Sequence, residues 1–185
     1  MVPEESKAPI DEQKICVTCG FCCDGTLFRH AMLKAGEQGS LPEKIEQNYR
    51  KEKDKEFFLL PCHYFNEKCT IYDQKRAKIC SGYRCQLLKD FEEKKVSLHD
   101  ALESVAGAMK MRAELMAQYQ RISGNGEGIH FRQLLIELGR VMKSAPGKEP
   151  AGIEYDLLLA WCNIFEALLI KHFRSAEDFD KMTMK

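Results

Sequence analysis

Eight of the nine cysteines in this 185-residue chain lie between positions 16 and 85. They come in two groups. Cys16, Cys19, Cys22 and Cys23 form a dense run, C-V-T-C-G-F-C-C, while Cys62, Cys69, Cys80 and Cys85 are spread over an open, turn-rich stretch. Thiolate sulfur is a soft ligand that suits zinc and iron–sulfur clusters. The C-x2-C-x2-C spacing lets a loop turning at Gly20 aim three sulfurs at one centre. Neighbouring side chains diverge in most backbone conformations, so Cys22 and Cys23 are expected to serve two metals or two sides of one cluster. All eight are candidate metal ligands, as two four-cysteine sites or as one larger multinuclear centre.

Charge does not choose between metals, because four thiolates leave the same net charge around a zinc dication and around a doubly positive cubane. All-thiolate ligation favours an iron–sulfur cluster over zinc, as does the likeness of the first group to a cluster-binding loop. That group departs from the bacterial ferredoxin run, since Cys23 follows Cys22 directly and no C-P pair comes after it. Purely structural zinc is the main rival. A disulfide framework conflicts with a reducing compartment. Lys14, Lys68, Lys75, Arg76, Lys78 and Arg84 crowd the cysteines and could offset thiolate charge.

Other candidates carry less. His63 follows Cys62 and could ligate metal or hydrogen-bond a thiolate. His30, His99, His130 and His172 are scattered without ligand spacing. Tyr72, Asp73, Tyr83 and Arg84 lie beside the cysteines and could contact them. Cys162, on an apolar stretch, reads as a small buried hydrophobe.

The chain has 28 basic and 28 acidic residues, so no field of one sign argues for nucleic acid or an acidic membrane surface. The N-terminus has no basic and apolar signal pattern. The most apolar stretch, residues 153–173, carries Glu154, Asp156, Asn163, Glu166 and Lys171, which argue against a membrane span. A cytoplasmic protein is expected, with metal ions and a protein as its candidate partners. Residues 124–128 are glycine-rich but lack the strand and the Gly-Lys-Ser/Thr context of a phosphate cradle.

The elements that must position these cysteines are mainly helical. Residues 1–13 read as a disordered lead, and 14–90 as an irregular cysteine-rich module. Within it, 28–35 fits a short helix stopped by Gly36, and Pro42 opens another through about Lys53. The charge run 50–56 reads as a solvated helix end. Residues 57–60 could be a strand or a tucked segment. A short helix is expected over 86–95. Ser97 with Asp100 caps a long helix to about Ile122, whose stripe is Leu98, Leu102, Val105, Met109, Met116 and Tyr119, interrupted by Arg112. Phe131, Leu134, Leu135, Leu138 and Met142 fit a further amphipathic helix. Residues 145–152 read as a Pro/Gly linker. The last helix, from Ile153, is apolar around most of its circumference and should be the most buried. Only Asp156, Asn163, Glu166 and Lys171 are expected to face water. The helical region spans 97–173, followed by a tail over 174–185.

The run Cys16 to Cys23, then Leu60-Pro61-Cys62, Cys69-Thr-Ile-Tyr72 and Cys80-Ser-Gly-Tyr-Arg-Cys85, resembles the YkgJ-type cysteine-cluster family over about residues 14–90. That family is described as a zinc- or iron-chelating domain and includes relatives of flagellin lysine N-methylase. This chain has Arg76-Ala77 where the family usually has Arg-Pro, and Ser81 where an Arg commonly follows the cysteine. All eight cysteines keep their places. The resemblance implies metal chelation through them. Three roles follow as expectations: a metal- or cluster-binding protein with a redox, carrier or assembly role; a protein lysine N-methyltransferase-like enzyme; or a zinc-stapled protein-interaction domain. No glycine-rich S-adenosylmethionine loop after a strand supports the second.

Overall fold

The computed structural model describes residues 10–124, 128–143 and 152–174. It is mainly helical, with an irregular cysteine-rich half set against a C-terminal helical part. Helix α1 (Ile10–Cys19) comes first, followed by strand β1 (His30–Met32), a short helix α2 (Glu43–Gln47), and strands β2 (Tyr49–Glu52) and β3 (Lys55–Leu59). Two-residue strands β4 (Phe65–Asn66) and β5 (Lys68–Cys69) precede helices α3 (Lys78–Gly82) and α4 (Gln86–Glu92). Helices α5 (Leu98–Ser123), α6 (Phe131–Lys143) and α7 (Ile153–Phe173) complete the chain.

Several local expectations change. Residues 10–13 belong to α1 rather than to a disordered lead, and residues 1–9 lie outside the described residues. The segment 28–35 contains a strand instead of a helix, because His30, Ala31 and Met32 pair antiparallel with Leu59, Phe58 and Phe57. The helix opened by Pro42 stops at Gln47, where Asn48 turns out of helical geometry. The charge run is therefore a hairpin, with Arg50 opposite Phe57 and Glu52 opposite Lys55. Lys53 takes a left-handed φ of 53° at its tip. Pairing with an apolar strand decides between extended and helical for a run that is polar all round. The linker 145–151, the glycine-rich tip 125–127, the Met142 side chain and the tail from 175 lie outside the described residues.

Helix α5 is capped as its sequence suggests. Ser97 Oγ accepts from the Asp100 amide at 3.2 Å, and the Ser97 amide donates to Asp100 Oδ2 at 3.2 Å. Its buried stripe is Ala101, Val105, Ala108, Leu115 and Tyr119. Leu98, Leu102, Met109 and Met116 only flank it. Two of the most buried positions are alanines, whose small side chains let the neighbouring helices approach.

Two cores result. The larger joins Ile15, Phe21 and Leu27 from the cysteine-rich half to Leu87, Val105, Leu115, Phe131, Leu134, Leu158, Phe165 and Phe173. The smaller lies under the sheet and comprises Leu33, Ile45, Phe58, Leu60 and Ala77. Helix α7 buries Leu158, Cys162, Phe165, Leu169, Ile170 and Phe173. It buries six residues, more than any other described helix, but not all round its circumference: Ile153, Leu157, Trp161 and Ile164 form an exposed apolar stripe. Glu166 does not face water freely either, for it pairs with Arg132 at 2.7 Å. No described helix is long and apolar enough to cross a membrane.

Candidate metal centre

The first cysteine group straddles the end of a helix. Cys16 and Cys19 lie on the last turns of α1, and Gly20 ends it with a φ of 64°, donating its amide to the Cys16 carbonyl at 3.2 Å. The Cys23 and Asp24 amides then turn back onto the Gly20 carbonyl at 2.8 and 3.0 Å. Glycine is required here on two counts. The left-handed φ strains any Cβ, and a Cβ would stand 2.6 Å from Phe65 Cε2.

Phe21 anchors this loop. It is fully buried and packs edge-on against Phe173 and Phe165, with ring centroids 5.2 and 6.5 Å apart. Three arginines of the helical part hold the residues that follow. Arg112 of α5 donates to Asp24 and, at 3.1 Å, to Thr26 Oγ1. Arg132 Nε of α6 donates to the Thr26 carbonyl at 2.9 Å. Arg174, just past α7, donates to the Leu27 carbonyl at 2.9 Å. Arg112 thus interrupts the apolar stripe of α5 because it spans from that stripe to the cysteine loop.

The second group rides on short irregular elements. The Cys62 amide donates to the Cys23 carbonyl at 2.7 Å, tying the two groups together. Cys69 ends β5 and Cys80 sits in α3. The start of α3 is fixed by the buried carboxylate of Glu37, which accepts from the Lys78 amide at 2.7 Å and the Lys34 amide at 2.8 Å. Cys85 caps α4, its carbonyl accepting from the Lys89 amide. Tyr83 Oη donates to the Phe173 carbonyl at 3.2 Å, so the α3–α4 junction is docked on the end of α7.

The eight cysteines line two adjoining cavities. The smaller, about 40 Å³, is bordered by Cys16, Cys19, Cys22, Cys23 and Cys85, with Ile15, Phe21, Leu88 and Phe173 behind them. The larger, about 220 Å³, is bordered by Cys16, Cys22, Cys23, Cys62, Cys69 and Cys80, and is otherwise mostly apolar. Cys16, Gly20, Cys22, Cys23 and Tyr83 form the shared wall.

Burial pushes up the thiols of Cys16, Cys19, Cys22, Cys23, Cys62, Cys80 and Cys85. Cys16 rises to about 11, through burial and then the nearby Cys85. Cys80 rises to about 12, through burial and then Cys62. Cys19, Cys22 and Cys23 are raised in the same way. After burial, Cys22 is raised most by Cys19 and Cys85, and Cys23 most by Cys69 and Cys80, with Cys16 weighing on both. Cys162 is raised to about 12 as well, but by burial and Glu166, with no cysteine near it. A raised thiol alone does not mark this site; mutual proximity of thiols does.

Among the described residues, no three His, Cys, Asp or Glu side chains stand at the spacing of a closed metal site. The sulfurs line cavities rather than meeting at a point. Neutral thiols have no reason to converge, and a change of χ1 well re-aims each sulfur within its cavity. A bound cation would supply the reason, because it would invert the cost of deprotonating neighbouring thiols. The donor set fits a thiolate-bound metal on that ground.

The remaining candidates divide. Arg76 stacks on Tyr72, 4.2 Å from guanidinium carbon to ring centroid, and both border the larger cavity. Arg76 also lowers the cost of ionising Cys16 and Cys80. Arg84 pairs with the buried Glu12 at 2.8 Å and with Glu92 at 3.2 Å. His63 is exposed and meets Asn48 Nδ2 at 3.0 Å, outside both cavities. Asp73 is exposed, and Lys14 pairs with Asp11 at the surface. Sequence reasoning missed Glu37, Phe21 and the cavity-lining Phe28, Met32, Phe58 and Ile79. Arg112 was the visible signal, a charge set in an apolar stripe.

No family model, curated protein or solved structure matches this chain.

Proposed function

We propose that this chain is a metal-thiolate protein. Cys16, Cys19, Cys22, Cys23, Cys62, Cys69, Cys80 and Cys85 hold an iron–sulfur centre, or zinc in its place, for a redox, carrier or assembly role. The observation that carries the reading is the gathering of eight cysteines, remote in sequence, around two adjoining cavities at the seam between two cores. The motif resemblance to the YkgJ-type cysteine-cluster family points the same way. Bound metal would supply charge-neutralising cross-links or an electron-accepting cluster. The chain's own part is to exclude water with Phe21, Phe28 and Phe58, and to offset thiolate charge with Arg76.

A zinc-stapled interaction domain is the second reading, favoured by the exposed stripe of Ile153, Leu157, Trp161 and Ile164 on α7. The methyltransferase-like alternative gains no support from the fold. The strands described are antiparallel, and β1, which leads through a loop holding Gly36 and Gly39 into a helix, reaches only the five-residue α2. An absorption spectrum of anaerobically purified chain tests the choice. Broad visible bands that bleach on reduction are expected for iron–sulfur. A colourless sample that carries zinc moves the assignment to the second reading. A colourless sample without zinc overturns both.

A further inference from the structure

Resting on the reading that these thiolates hold metal, we propose that they form two centres with different jobs. Cys16, Cys19, Cys22 and Cys85 make an inner, fold-stapling centre; Cys23, Cys62, Cys69 and Cys80 make an outer centre that exchanges its metal.

Membership follows from three independent placements. Cys19 and Cys85 border only the smaller cavity, while Cys62, Cys69 and Cys80 border only the larger. Cys16, Cys19, Cys22 and Cys85 pack against the larger core, whereas Cys62 and Cys80 pack against the smaller one. The main chain joins Cys23 to Cys62 directly. Cys16, Cys22 and Cys23 border both cavities; packing on the larger core assigns Cys16 and Cys22 to the inner centre, and the hydrogen bond to Cys62 assigns Cys23 to the outer one.

The difference in job follows from the supports. Inner ligands sit on α1, on the Phe21 loop and at the start of α4, elements locked together in the larger core by Phe21, Leu87, Leu88 and Phe173. Releasing metal there means opening that core. Outer ligands sit on a loop, a two-residue strand and a five-residue helix. They border the 220 Å³ cavity, which gives an entering chelator room that the 40 Å³ inner cavity lacks. Local opening is cheapest where few buried contacts must break. For zinc, exchange at the outer centre is ligand substitution with no change of oxidation state; for a cluster, release frees sulfide as well, and added dithionite reduces the ferric ions to the ferrous form that the probe reads.

The test is metal release from the intact full chain. The probe is 4-(2-pyridylazo)resorcinol for zinc or bathophenanthroline for ferrous iron, read by absorbance. Release is expected in two phases separated by at least about tenfold in rate, which corresponds to about 1.4 kcal/mol of extra opening cost. Cys62→Ser should lack the fast phase, keep the slow share and retain its helical circular dichroism. Cys62→Ser/Cys80→Ser should match it. Cys85→Ser should lose the slow share and melt at lower temperature. Should that variant fail to fold, the two outer variants still decide. A single release phase in the native chain, or loss of all metal from Cys62→Ser, overturns the division and leaves metal binding itself standing. A native chain without metal would instead defeat the reading on which the division rests.

Discussion

A buried cysteine can be a ligand or merely a small apolar side chain, and the nine thiols of this chain divide between eight that line two adjoining cavities and one that stands apart. Cys162 is fully buried on α7 among core residues, with Glu166 and no other cysteine bearing on it. Cys162→Ser should therefore keep the full metal content while losing about 1–3 kcal/mol of stability, the cost of burying a hydroxyl without a ready partner. Elemental analysis and urea denaturation of one preparation read both effects. Gly20 is the opposite case, a residue without a side chain on which the site depends. Gly20→Ala should cost more than about 1 kcal/mol, since the left-handed backbone strains and the new methyl meets the Phe65 ring. Thermal melting of the variant beside the parent measures it. The cysteines and the turn at Gly20 were plain in the sequence because type and spacing carried them. Glu37 was not, since a lone carboxylate that binds two backbone amides leaves no periodic trace.

At the level of elements, legibility followed regularity. The cap of α5 and the core face of α6 could be read because caps and amphipathic stripes are local patterns. The sheet could not, because its strands are short and are decided by pairing: Phe57 and Phe58 give Ala31, Met32, Tyr49 and Arg50 something to lie against. The stripe of α5 was misjudged by weighting large side chains over Ala101 and Ala108. Helix α7 is apolar around most of its circumference, so its sequence could not tell which apolar face finds a neighbour and which is left exposed. Arg112 makes the α5 argument testable. It sits on the buried stripe and bonds both Asp24 and Thr26. Arg112→Ala should cost about 1–3 kcal/mol by leaving Asp24 without its charged donor. Arg112→Lys should recover only part of that, because an ammonium lacks the guanidinium fork that serves both acceptors. Urea titration of the two variants beside the parent separates these outcomes.

The whole molecule is organised around a seam. The cysteine-rich residues pack on the helical part as expected, and share their main core with the long helices through Ile15, Phe21 and Leu27. The two halves should not melt independently. Metal removal by a chelator should lower the temperature of one cooperative transition for the entire chain, with α5, α6 and α7 destabilised together with the cysteine loops. Circular dichroism melting with and without chelator reads this, and two separate transitions in the stripped protein would contradict it. The shared core also explains why the site draws arginines from α5, α6 and the end of α7. The helical half is the wall against which the first cysteine loop is held. The exposed stripe on α7 lies outside this arrangement.

The most direct measurement is the metal-to-chain ratio of the natively folded, anaerobically purified protein, taken by elemental analysis on the gel-filtration peak. Iron or zinc co-eluting with the chain in amounts that fill four-thiolate sites is the predicted result. A well-folded chain carrying neither metal, with its cysteines free to react, would contradict the account.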